Sequence, residues 1–473
     1  MLIRKIIFTA LMSVTAIGYI YASVEIDSQN FIVRQQWPWS SKVVAEFTVG
    51  GEIAAPGAVA TVKAYDGDEL ICEVPGDKLS GDVFITTVGR KRLAFDPAEI
   101  AELKSRGVIS SFRLGVEYVD GKVDFNAANI LYVVFDLEKE ASAAGKIQVL
   151  TESDITGGSS AREGVGPYGA WKRRYWDAGA DTVAWLGVND PVYKTTKMVF
   201  RHVPSLTFTM GSPESEPGRL PNEAYESYED QKKYYLAEPQ EKITLPGYYI
   251  GVFEVTQKQW SYFGGEVSFN SNVLGDDKPA HYISYQTVRG VTDPKEQVAA
   301  SSYCGGLAAW AGDGWKVDLP SEAQWEAACR AGTSSGLYDG TDLPSDLTYY
   351  TKDGRENIKF IQYAPLAELA NTFASVSGKD RFPMSVGTLK PNNYGLYDML
   401  GNIGEFCLDK VKPENNGSDK MIALRGGSSD NWISCFSGIA VFRAAARAAC
   451  QNTDSDRQLG FRVVLERNAA SAE

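Results

Sequence analysis

The sequence predicts an α+β chain of two unequal parts, a small β-sandwich domain followed by a larger mixed domain. Three observations lead there. At 473 residues the chain exceeds what one ordinary hydrophobic core organises, and 44% hydrophobic with 11% aromatic residues can fill two. Between residues 43 and 137, short segments alternate apolar and polar residues with a period of two, separated by Gly, Pro and Asp, as half-buried strands do. Beyond residue 196 the alternation gives way to capped helical stretches and glycine-rich turns.

At the N terminus, Arg4 and Lys5 precede an apolar run from Ile6 to Ala22, as expected of an export signal over 1–22 cut after Ala22. Left uncut, the run approaches the roughly 17 apolar residues that just span a bilayer and would act as an anchor. No Cys follows it, which argues against a lipid anchor. The expected location is periplasmic, cell-surface or extracellular, with membrane contact only if the segment stays uncleaved. Strands are predicted over 43–49, 58–64, 69–74, 83–88, 109–119 and 130–137, with one helix over 97–105. Together they place a β-sandwich over 24–150, which carries no catalytic constellation and reads as a spacer or docking module.

Thr156-Gly157-Gly158-Ser159-Ser160 opens a Gly-rich linker over 151–195, within which lies the basic-aromatic cluster Trp171-Lys172-Arg173-Arg174-Tyr175-Trp176. The net charge of −13 argues against nucleic acid as a partner, so the cluster reads as a face packed on the next domain. Six cysteines, at 72, 304, 329, 407, 435 and 450, form no tight framework, which leaves one or two disulfides open but no pairing legible.

In the second part, Leu319-Pro320-Ser321-Glu322-Ala323-Gln324-Trp325-Glu326 explains itself physically. Ser321 caps the first amides and Gln324 reaches back, Arg330 suits the C-terminal dipole, and Gly332 suits a left-handed stop, so a helix is predicted over 322–331. Trp325, Ala328 and Cys329 then share its buried face. Around it lie Phe208-Thr209-Met210-Gly211-Ser212, Glu254-Val255-Thr256 followed by Trp260, and Pro279 with Ile283-Ser284-Tyr285. Further on come Asn393-Tyr394-Gly395-Leu396-Tyr397-Asp398-Met399-Leu400-Gly401-Asn402-Ile403-Gly404-Glu405-Phe406, then Arg425-Gly426-Gly427-Ser428, Arg443 with Arg447, and Leu459-Gly460-Phe461-Arg462.

In this order the motifs resemble the formylglycine-generating enzyme, or sulfatase-modifying-factor, family over 196–467. The resemblance implies a variant of the C-type lectin fold. It also implies structural calcium at Asp398, Gly401, Ile403 and Glu405, where carboxylate and carbonyl oxygens meet at a turn, and a second site at Asn371, Thr372 and Asp380. Gly404 stands where the family has Trp.

Active oxidases of the family use two Cys between the Gly-Gly-Ser and the Arg pair to hold copper(I), which soft thiolates suit. Counting forward from Ser428 puts Asn431 and Phe436 at those places, and counting back from the arginines puts Ile439 at the second. Cys435 misses by one residue, and Cys450 lies beyond Arg447, so the oxidase pair is not in place. Cys435 is the sole catalytic candidate, and the two thiols are expected to be buried or paired with each other. His202 and His281 are too few for the three-His iron site of other members. Arg443, Arg447 and Arg462 are expected to build scaffold through fork-like hydrogen bonds.

The reading is therefore an exported, non-catalytic binding protein whose 429–459 segment contacts a protein or glycan at the cell surface. Some family members have this segment diversified by retroelements. The contacts expected are Ser429, Asp430, Asn431, Trp432, Phe436, Asn452, Asp454, Asp456 and Arg457. The alternative is a copper-dependent formylglycine-generating oxidase acting on a Cys of sulfatases.

Overall fold

A computed structural model describes residues 24–35, 41–53, 57–106, 109–120, 129–151, 190–219, 236–312, 314–345, 363–372, 382–412, 420–429 and 441–467. The described residues divide into two compact units, one of those up to 133 together with 148–151, the other of 134–147 and those from 190 on.

The first unit is built from two antiparallel sheets. Its strands are β1 (Val24–Gln35), β2 (Val43–Gly51), β3 (Ala58–Asp66), β4 (Glu69–Glu73), β5 (Ser80–Gly81), β6 (Phe84–Ile85), β7 (Gly89–Phe95) and β8 (Phe112–Asp120). One sheet runs β1-β2-β7-β5; in the other β3 pairs with β4, β6 and β8. The period-two alternation explains the core: Val43, Ala45, Phe47 and Val49 are buried along β2 while Glu46 and Thr48 are not. Phe47 stacks on Phe31 at 5.4 Å and meets Tyr118 at 6.1 Å, so apolar faces of both sheets contribute to one core. The predicted 97–105 helix is a 3₁₀ turn, Pro97–Glu99, capped by Asp96 and followed by the helix Ala101–Arg106.

β1 and β7 escaped the sequence reading. In β7, Lys91 occupies an inward position between Arg90 and Arg92 and is buried at 4% exposure, which breaks the apolar alternation that marks a strand.

The predicted strand over 130–137 forms, as β9 (Ile130–Asp136) followed by β10 (Ile147–Thr151), but in other company than a sandwich offers. The remaining strands are β11 (Lys197–Val203), β12 (Leu206–Met210), β13 (Glu241–Leu245), β14 (Tyr248–Gly251), β15 (Trp315–Asp318), β16 (Gly404–Lys410), β17 (Met421–Arg425), β18 (Ala448–Gln451), β19 (Leu459–Gly460) and β20 (Val464–Arg467). A six-stranded sheet runs β10-β9-β11-β14-β20-β15, so residues 134–147 belong with the C-terminal domain. The physical reason is in the sequence of β9: Ile-Leu-Tyr-Val-Val-Phe is buried on both faces without alternation, as an interior strand must be. Its Phe135 ring meets Phe200, Trp310 and Trp315 at 5.0, 5.4 and 5.9 Å.

The rest of this mixed domain consists of the β12–β13 hairpin, a second sheet β18-β17-β16-β19, and short capped helices. The capping box of Ser321 and Gln324 starts a helix at Glu322–Arg330, and its left-handed stop falls one residue early, at Ala331 with φ 44°. Thr256 and Gln259 build a second capping box, at Gln257–Phe263. Trp325, Ala328 and Cys329 are fully buried, as their helical spacing predicts. No helix among the described residues is long and apolar enough to cross a membrane.

Candidate functional site

The site is framed by buried arginines clamped to carboxylates, as their expected role requires. Arg425 donates to Glu322 at 3.0 Å, to Glu326 at 2.9 Å, and to the carbonyls of Ala444 and Ala446. Arg443 bridges Glu216 at 2.6 Å and Glu238 at 2.8 Å, and Arg447 holds Glu322 and the Ala237 carbonyl. Arg462 forks onto both oxygens of Glu405, at 2.6 and 2.7 Å, and reaches the carbonyls of Gly251, Val252 and Tyr397. The guanidinium plane suits this work, since its five donors are set in a fixed fork.

Between these clamps, Gly426 and Gly427 turn with φ of 87° and 72°, and a Cβ on Gly427 would come within 2.8 Å of the Phe442 ring. The turn delivers Ser428, whose hydroxyl hydrogen-bonds Gln458 at 2.8 Å, and Ser429, whose N–H donates to the Asn402 carbonyl at 3.0 Å. Gly404 N–H donates to the Gln458 carbonyl, and a Cβ there would lie 3.3 Å from that oxygen and from Leu424, so a side chain at this position would press on both.

Sequence reasoning missed Asn402, Tyr282, Gln458 and Glu254. Asn402, with φ 61°, knits the turn: its Oδ1 accepts from Met384 N–H and the Asn371 amide, and its Nδ2 donates to Glu254 at 2.6 Å. Tyr282, with φ 55°, donates its N–H to the Asp456 carbonyl. A bulky residue at positive φ is the detectable signal here, and it is visible only in three dimensions. Burial, reinforced by Asp398 and Glu405 nearby, pushes the Glu254 carboxyl well above the usual range, and burial pushes Asp398 up to about 6.

Of the expected contact residues, Ser429 and Asn452 are buried at 1% and 3% exposure, not exposed, and Ser429 Oγ and Asn452 Oδ1 have no hydrogen-bond partner among the described residues. Asp456 is exposed, Asp454 and Arg457 are half-buried, and Arg457 lies 5.5 Å from the Phe382 ring centre. Asp430, Asn431, Trp432, Cys435, Phe436 and Asp380 lie outside the described residues.

A copper(I) site needs two converging thiolates. In this domain Cys304, Cys329, Cys407 and Cys450 are free and buried, and burial pushes each thiol up, so these four do not fit it. For calcium, Asp398, Gly401 and Ile403 lie close along one turn, with Asn371 bridged to Gly401 and Thr372 adjacent; one Asp398 oxygen accepts from Gly387 N–H at 2.6 Å. Glu405 does not fit as it stands, because Arg462 and the Trp325 indole N–H, 2.8 Å away, already occupy its oxygens.

Residues 188–467 match the profile of the sulfatase-modifying factor enzyme 1-like domain. The chain is 27% identical to chaperone protein LppX of Paenibacillus barcinonensis, over 41% of its own length and 71% of the relative's. It is 31% identical to inactive C-alpha-formylglycine-generating enzyme 2 of Mus musculus (34% and 45%) and 29% identical to formylglycine-generating enzyme of Bos taurus (35% and 41%). It thus spans less than half the length of these two mammalian relatives. With that profile matched over more than half of its length, the chain belongs to the sulfatase-modifying-factor family.

Proposed function

We propose that this is an exported, non-catalytic binding protein, using the surface framed by 429–459 to hold a protein or glycan at the cell envelope. The observation that carries the reading is a contrast within this domain: beside rigid arginine–carboxylate clamps, the buried polar atoms Ser429 Oγ and Asn452 Oδ1 have no hydrogen-bond partner among the described residues. The strained Tyr282 beside Asp456 supports it, as does the likeness to a relative named as inactive. In this reading the first unit is a β-sandwich serving as spacer or docking module, and 1–22 directs export.

The test is mass spectrometry of a Cys-x-Pro-x-Arg peptide incubated aerobically with the copper(I)-loaded protein. No aldehyde product is expected; clean conversion would establish the oxidase instead. Glycan and envelope-protein arrays probed with wild type and the Ser429→Ala and Asp456→Ala variants then test the surface, and binding unaffected by both would locate the ligand elsewhere. A structural calcium held by Asp398 and the carbonyls of Gly401 and Ile403 belongs to the same proposal. Chelation is expected to lower the thermal midpoint; an unchanged midpoint would leave Arg462 as the counter-charge of this turn.

A further inference from the structure

The solvent face of the β1–β2–β7 sheet gathers three arginines around one carboxylate, in a chain whose net charge is −13. Cross-strand register sets Ile32 and Arg92 opposite Glu46, Arg34 opposite Val44, and Arg90 opposite Thr48, so the three arginines share one face. Glu46 accepts from Arg34 at 2.8 Å, while Arg90 and Arg92 approach its oxygens at 3.6 and 3.9 Å. The Glu46 side chain is only 16% exposed, whereas those of Arg34, Arg90 and Arg92 are 51, 76 and 54% exposed. Among the described residues Glu46 is the carboxylate with which these three guanidiniums pair, so in its immediate surroundings positive charge and N–H donors exceed negative charge. Two further carboxylates are in register with this face, toward its other end: Asp27, opposite Thr48, whose oxygens accept from Gln29 N–H and the Asn30 amide in an exposed turn, and Glu25, opposite Gly50.

We propose that this face docks an extended acidic segment of a partner polypeptide. The spacing selects that occupant. Arg90 and Arg92 stand two residues apart on one strand, about 6.6 Å along it, which is the separation of carboxylates two residues apart on an extended peptide. Each guanidinium takes a carboxylate bidentately, and Ile32, 48% exposed beside them, offers an apolar contact between the charges. An anionic membrane is a poorer match, because the acidic balance of the whole chain repels it while a single strand is met locally. The proposal is independent of what the 429–459 surface binds.

The test uses the full chain and a fluorescent oligoglutamate peptide, with binding read by anisotropy. Binding is expected at low salt, to weaken as salt rises, and to fall by about tenfold or more in the Arg34→Glu, Arg90→Glu, Arg92→Glu triple variant. The Glu46→Gln variant, which removes the central negative charge, is expected to bind more tightly, and it keeps the test decisive should the triple variant fold poorly. Binding equal to wild type in both variants overturns the proposal. So does binding to anionic phospholipid vesicles that these substitutions abolish while oligoglutamate is not bound.

Discussion

Replacing Arg462 with leucine is expected to bring the C-terminal domain to the edge of unfolding, and the size of the effect follows from what the side chain touches. Its guanidinium forks onto Glu405 at 2.6 and 2.7 Å, and both side chains have 0% exposure. Removing one member of such a pair strands the other charge in the interior, a cost of about 3–5 kcal/mol. The carbonyls of Gly251, Val252 and Tyr397 lose a donor as well. Against a typical domain stability of about 5–15 kcal/mol, a loss of about 4 kcal/mol or more is severe. Denaturant unfolding followed by tryptophan fluorescence reads it, since the Trp325 indole donates to the same carboxylate. Arg462→Lys should fall between, because an ammonium keeps the charge but not the fork. Removing Glu405 together with Arg462, both as leucine, should recover much of the loss, since no unpaired charge remains. A loss below about 1 kcal/mol in the single variant, or a double variant no more stable than the single, would refute the reasoning.

Other perturbations probe separate parts of the chain. His281 Nε2 accepts from Asn270 N–H at 3.1 Å while Nδ1 donates to the Pro279 carbonyl, so the ring is held neutral and burial pushes its pKa below 6.5. Its contribution to stability is therefore fully present above pH 6.5 and lost as pH falls through the folded pKa; a His281→Gln variant should flatten that acid limb, and an unchanged limb would assign it to another group. Ser321→Ala removes a capping box and should cost about 1 kcal/mol by thermal denaturation. Phe135→Ala should destabilise the C-terminal domain by about 3–5 kcal/mol; if only the N-terminal unit responds, the assignment of residues 134–147 fails. Alkylation followed by peptide mass spectrometry should modify half-buried Cys72 well before Cys304, Cys329, Cys407 or Cys450, and fast labelling of any of those four in the native protein would contradict their burial.

Legibility varied with the locality of the interaction. The Glu322–Arg330 helix was read correctly because its start signal lies within four residues and its buried face repeats at helical spacing. The three arginines were read as scaffold because a fork of donors in an apolar setting has few other uses. The place of β9 was not legible: a continuous apolar run announces an interior strand without naming the sheet that encloses it. Asn402, Gln458 and Tyr282 were invisible for a related reason, since their partners lie far along the chain, at Glu254, Ser428 and Asp456.

What the sequence alone determined is the family, the order of its motifs, the capped helix and the misplacement of the cysteines, because each depends on residue identity and short spacing. Only the tertiary structure decided that Ser429 and Asn452 are buried, that Glu405 is already held by Arg462, and that residues 134–147 join the C-terminal domain. Burial and hydrogen-bond satisfaction are properties of the surroundings of a residue, and those surroundings are assembled from segments far apart in the chain, as Arg462 and Gly251 illustrate at a separation of 211.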